Sequence, residues 1–268
     1  MLPFWLSIGA LSLVQAALVA APRPPLPGLL ARLQSRWWAL ALPLSIVVVV
    51  SAIALDSASA RFLTYLALVA VPPLAAAALA WIARGARWEL AFLVVPLFAL
   101  AWAFEGTLGG ESAALALSAL ACVSLGWLVA CVVPSRWLKL GIYLMAAVDA
   151  YLVGSNLLQG PNAVLNAASP VADLPRLQLA SFGAAVMGFG DLFVAATLGA
   201  LLAFDRRLQL RGAALAVVIC LSFDLLFFAF DQLPATVPIA LTLAALELMR
   251  RTSSARLGRS GRRQRPRT

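Results

Sequence analysis

Three of the eleven acidic residues in this 268-residue chain, Asp149, Asp191 and Asp224, fall inside long apolar runs. A carboxylate near the centre of a bilayer costs about 2.5–3.5 kcal/mol on insertion scales, so each needs a partner or a task. Two carboxylates within a few ångström cannot both ionise cheaply; one keeps its proton and the two titrate as a pair. That arrangement suits aspartic proteolysis. The ionised carboxylate takes a proton from a water that attacks a peptide carbonyl, and the protonated partner donates to the carbonyl oxygen. The same acids serve equally well as a structural interhelical hydrogen bond or as part of a proton or ion path, since intramembrane acids also mark pumps and transporters. Gly188 and Gly190 precede Asp191 and remove side chains where a neighbouring helix or an extended substrate would approach.

The elements that carry these acids follow from composition. The chain is 63% hydrophobic and only 12% charged, more apolar surface than a soluble domain of this size can hide. The class is an all-α polytopic membrane protein. Nine apolar runs approach the ~20 residues that a crossing helix needs: 2–21, 37–55, 62–83, 88–104, 112–133, 137–157, 178–204, 211–230 and 234–249. Backbone in lipid must bond within its own helix, so a helical bundle is the expected architecture. The first run lacks a basic leader and exceeds the length of a signal-peptide core, so it reads as a span.

Basic residues set the orientation. Of the 20 lysines and arginines, 18 fall on one side of the alternating loops, from Arg23, Arg32 and Arg36 to the tail beyond Arg250. Arg61 and Arg176 lie on the other side with Glu105, Glu111, Asp173 and Asp231. By the positive-inside rule the basic side is cytoplasmic, placing the N-terminus outside and the C-terminus inside. Residues 1–250 then form the transmembrane domain, and 251–268 a basic, Gly/Ser-containing tail expected to be disordered. The net charge of +9 reads as a topology signal and an attraction to anionic lipid, not as a nucleic-acid interface. Cys122, Cys131 and Cys220 lie in apolar runs without metal or redox spacing and read as packing residues. The absence of histidine excludes a zinc protease and a Ser-His-Asp triad. No cofactor or metal is expected.

Depth selects the pair. Asp149 lies twelve residues above Trp137 and Asp191 thirteen above Phe204, about 18 and 20 Å at helical rise, both near the middle of a ~30 Å hydrocarbon layer. Asp224 lies nearer the outer end of its helix, facing water or an interhelical partner.

Three motifs then carry a resemblance. The stretch MGFGDLFVAATLGALLAFDRR resembles the GxGD-bearing seventh span of signal peptide peptidases and their presenilin relatives. VDAYLVGSNLL resembles that family's sixth-span motif, an aspartate followed by aromatics and a Gly-Thr/Ser-Asn group. Pro234-Ala235-Thr236 stands where the family has Pro-Ala-Leu. The likeness covers residues 143–207 and 231–244; the first five spans match in number and charge pattern only. The family's tyrosine before the first aspartate is Val148 here, with Tyr151 one turn away, and its leucine is Thr236.

The resemblance implies a presenilin-like bundle in a prokaryotic cytoplasmic membrane, with its catalytic part at about 137–250. It implies Asp149 and Asp191 as the catalytic pair, with Gly188, Phe189, Gly190, Tyr151, Pro234, Ala235, Thr236 and Pro238 lining the site. Substrates would be transmembrane helices, either signal-peptide remnants or single-span proteins, unwound locally at residues such as Gly or Pro. Pro234 and Pro238 suggest irregular backbone at the start of the ninth span, available to bond an unwound substrate strand. The outer loop, 158–177, is read as a gate or an ordinary connector. A proton-coupled transporter, an inactive relative and a prepilin-type peptidase are the competing readings. The last would need aspartates near the cytoplasmic edge.

Overall fold

The computed structural model describes residues 2–26, 28–56, 58–171 and 174–262. Asp173 and residues 263–268 of the tail lie outside the described residues. A long apolar run satisfies its backbone most locally as a helix, and every one of the nine apolar runs contains one. These are α1 (Phe4–Ala20), α2 (Ala41–Leu55), α3 (Ala58–Ala77), α4 (Val94–Ala103), α5 (Leu108–Val132) and α6 (Ser135–Gly154), then α8 (Phe189–Leu202), α9 (Arg206–Asp224) and α10 (Val237–Arg262). A short helix, α7 (Gln159–Ala167), lies in the 158–177 loop and packs on α2. Among the described residues five helical stretches are long and apolar enough to cross a membrane: Arg36–Leu55, Ala58–Ile82, Leu108–Val132, Ser135–Gly154 and Arg206–Phe228. Large apolar side chains face outward, Val69 at 75% and Phe228 at 77% exposure among them. An exterior of this kind suits lipid rather than water.

One apolar run contains strands. The seventh, expected as a helix over 178–204, opens with a β-hairpin, β1 (Leu179–Phe182) and β2 (Ala185–Gly188), and only then becomes α8. The strands pair antiparallel across Gly183-Ala184, from Phe182 opposite Ala185 to Leu179 opposite Gly188. Two side chains hold the turn: Glu111 Oε2 accepts from the Gly183 amide at 2.7 Å, and Ser7 Oγ from the Ala184 amide at 3.1 Å. The ladder and these two bonds satisfy the turn and the inward-directed backbone groups, which lets non-helical chain stand among apolar helices. The expectation of one continuous helix over 178–204 is corrected here, while the fold as a whole is helical.

Helix α8 packs between α5 and α1, and small residues allow it. A Cβ on Gly126 of α5 would fall 2.6 Å from the Thr197 amide, and one on Gly199 would fall 2.6 Å from the carbonyl oxygens of Leu18 and Val19. The three helices therefore meet backbone to backbone, as close-packed membrane helices do. At the basic end Gln209, fully buried, donates to the carbonyls of Pro22 and Gly199 and accepts from Arg84 and Arg206. Arg84 and Arg206 also donate to the Ala203 and Ala20 carbonyls, which satisfies helix-end oxygens of α8 and α1. Burial first, then the positive charges of Arg206 and Arg23, pull the Arg84 guanidinium below its usual value.

Gly199→Val is expected to destabilise the bundle by about 1–3 kcal/mol through overpacking, read as a lower melting temperature in detergent. Gly160→Ala, at a position with nothing within 4 Å of the added carbon, is the control expected to leave it unchanged.

Candidate active site

Helix α6 turns Ile142, Met145, Ala146, Asp149 and Leu152 inward, the one-face spacing of a helix packed on neighbours. Asp149 is only 4% exposed. Its Oδ2 accepts the Thr236 hydroxyl at 2.6 Å and the Thr236 amide at 3.3 Å. Tyr151 lies two residues further on, about 200° around the helix, and is 68% exposed. The structure does not bring it to the site, contrary to expectation.

Asp191 is the third residue of α8 and half-buried. It is not a mid-helix residue, because the helix begins only at Phe189. Its Oδ2 accepts the Gly188 amide at 3.0 Å, closing the first turn. A Cβ on Gly188 would sit 3.1 Å from that oxygen, so glycine leaves the carboxylate its place. At Gly190 the Met145 methyl lies 3.5 Å from where a side chain would begin. Met145 is one turn before Asp149, so the second glycine admits the face of α6 that carries the first acid. The helices that carry Asp149 and Asp191 are thus in contact one turn from the first acid and one residue from the second. Each acid uses its Oδ2 as an acceptor in these bonds.

The third wall is the turn before α10. Pro234, Ala235 and Thr236 lie just ahead of Val237, and Pro238 is buried in the first helical turn, where a missing N–H is tolerated. The irregular start is as expected, but its backbone is not free. Pro234 O accepts from the Val237 amide, Thr236 O from the Ala240 amide, and Ala235 O from Gln15, while the Thr236 amide serves Asp149. Four of the groups that this turn was expected to offer a substrate strand are therefore already engaged within the protein. Phe189 is half-buried, and its carbonyl accepts weakly from the Cys122 thiol at 3.7 Å. Asp224 is held elsewhere, its Oδ2 accepting from Ser12 at 2.7 Å.

Sequence reasoning did not select Gln15, a lone amide in an apolar helix. It is 1% exposed, and its Nε2 donates to Asp191 O at 3.4 Å and Ala235 O at 3.2 Å. Its Oε1 accepts from the Cys220 thiol at 3.7 Å. A cavity of about 470 Å³ opens at the basic end, with Lys139, Asp205, Glu247 and Arg250 in its lining, and neither Asp149 nor Asp191 lines it. No family model, curated protein or solved structure matches the chain.

Thr236→Val removes one donor from a buried carboxyl group and is expected to lower stability by about 1–3 kcal/mol. Thr236→Ser, which keeps the hydroxyl, should recover most of that loss. Thermal unfolding of the three proteins in one detergent checks the order.

Proposed function

We propose that this chain is a nine-span membrane protein, N-terminus outside and C-terminus cytoplasmic, that works as an intramembrane aspartic endopeptidase with Asp149 and Asp191 as its pair. One observation carries the reading: α6, the start of α8 and the turn before α10 pack together, with Thr236 on Asp149, Met145 against Gly190 and Gln15 bonded to both Asp191 O and Ala235 O. One acid is ionised and the other protonated. The ionised carboxylate takes a proton from water, whose oxygen attacks the scissile carbonyl carbon. The protonated acid gives its proton to the carbonyl oxygen. Collapse of the tetrahedral intermediate breaks the C–N bond, and a proton passes to the departing amine.

The substrate must present an unwound stretch, and β2 is suited to receive it. The pair next to a two-residue turn, Phe182 with Ala185, is hydrogen-bonded across the hairpin. Bonding alternates along the ladder, so Val186 and Gly188 direct their backbone groups away from β1. The Gly188 amide serves Asp191, which leaves Val186 as the open edge beside the acid. A substrate strand added there lies alongside the residues that lead into the pair. The substrates are transmembrane segments of single-span proteins or signal-peptide remnants. The basic loops and tail face anionic lipid.

The test uses the full chain in liposomes with a single-span reporter carrying Gly, Ser or Asn near mid-membrane. Asp149→Asn and Asp191→Asn are each expected to lower cleavage at least ~100-fold, the scale of a lost general acid or base. Wild-type turnover in either variant overturns the proposal, and proton-coupled uptake lost in the same variants, without cleavage by the wild type, makes the chain a transporter. Val186→Pro removes an outward N–H from an edge strand without removing a hairpin bond. It is expected to raise KM for the reporter several-fold, and an unchanged KM rejects strand addition at β2.

A further inference from the structure

The two aspartates approach from different helices, and the hydrogen bonds between their supports pass through α1. Asp149 is held by Thr236. The residue before it, Ala235, offers its carbonyl to Gln15 Nε2, and the same nitrogen donates to the carbonyl of Asp191. A primary amide has two N–H groups, so one side chain serves both carbonyls, one proton each. Cys220 at Oε1 fixes which end of the amide faces the pair. Gln15 is buried in an apolar helix, where an unpaired amide is costly and two well-placed acceptors fix its position. We infer that Gln15 is a positioning residue that clamps the Asp191 backbone to the turn holding Asp149, so that the separation of the two acids depends on the first helix of the chain. Neither Asp149 nor Asp191 touches Gln15 through its carboxyl group in any of these bonds, so the effect is one of placement, not of proton transfer.

The kinetic part rests on the proteolytic reading; the geometric part does not. Gln15→Met keeps the length and removes both donors, and Gln15→Asn keeps the amide but falls one methylene short of the carbonyls. Two measurements are made on the full chain in liposomes. In cleavage of the single-span reporter, both variants are expected to lose kcat by about 10- to 100-fold, the scale for misplaced reacting groups, with KM within twofold of wild type and a displaced pH profile. In the second, Cys122→Ala, Cys131→Ala and Cys220→Ser provide a background in which Asp149→Cys and Asp191→Cys are joined by a short bifunctional thiol reagent. Adding Gln15→Met is expected to cut the cross-linking yield at least threefold. Unchanged kcat together with unchanged cross-linking overturns the inference. So does a matched loss of kcat and rise in KM with cross-linking intact, or failure of both variants to fold, since either assigns Gln15 to stability alone. If the wild type cleaves no reporter while Gln15→Met still lowers cross-linking, the proteolytic reading fails and the clamp stands.

Discussion

A carboxyl group placed among apolar side chains must be given donors, and that requirement organises this bundle. Leaving a hydrogen-bonding group unmet in an apolar interior costs about 2–7 kcal/mol depending on the reference state, enough to decide between alternative packings. Asp149 meets the requirement from α10, through the hydroxyl and amide of Thr236. Asp191 meets it locally, through the Gly188 amide at the start of its own helix. The first solution ties α6 to the turn before α10. The second fixes where α8 may begin, because the carboxylate can reach that amide only from the first turn. The two acids therefore determine the geometry of three elements, and the glycines at 188 and 190 keep that geometry sterically open.

Much of this was legible in the amino-acid sequence, because length and apolarity dictate helices in lipid and polar exceptions mark where helices need each other. The matching depths of the two aspartates suggested them as a pair, and the structure brings the helices that carry them into contact. The hairpin could not be foreseen. Residues 178–188 are nearly uniformly apolar, and an apolar run with little polar alternation has no period with which to tell strand from helix. Its only textual sign is the Gly183-Ala184 break, which also reads as small-residue helix packing. Tyr151 was misplaced because an aromatic near a catalytic position looks relevant by proximity, whereas two residues along a helix carry it to the other side.

Thr236 and Gln15 teach a different lesson. Thr236 stood out as a departure from a leucine, yet its hydroxyl makes the shorter of the two hydrogen bonds to Asp149. A motif comparison treats that exchange as a loss, while hydrogen-bond accounting treats it as a gain. Gln15 carried a readable signal, an amide inside FWLSIGALSLVQAALVA with Ser12 one turn earlier. An uncharged side chain attracts less notice than an acid, but in an apolar setting its demand for partners is similar in kind. The two elements it bonds, the GxGD helix and the Pro-Ala-Thr turn, lie over 170 residues away in the chain, so no local pattern could show that one amide serves them both.

The join between β2 and α8 gives the site its character. Gly188 ends a strand and caps a helix at once. A strand exposes backbone groups along its edge and a helix consumes them, so the change of state at Gly188 sets an open peptide edge next to a carboxyl group. A continuous helix through this segment would hide every backbone group and leave Asp191 with no unwound chain beside it. A helix break elsewhere in the bundle would expose backbone without an acid. The hairpin is tolerated because its tip is bonded to Glu111 and Ser7 and its inner face, Ala180, Ala185 and Met187, is buried against the core. The local loss of helix is thus sustained by contacts at the tip and on the inner face, and the substrate strand proposed above would lie along the outward edge of β2.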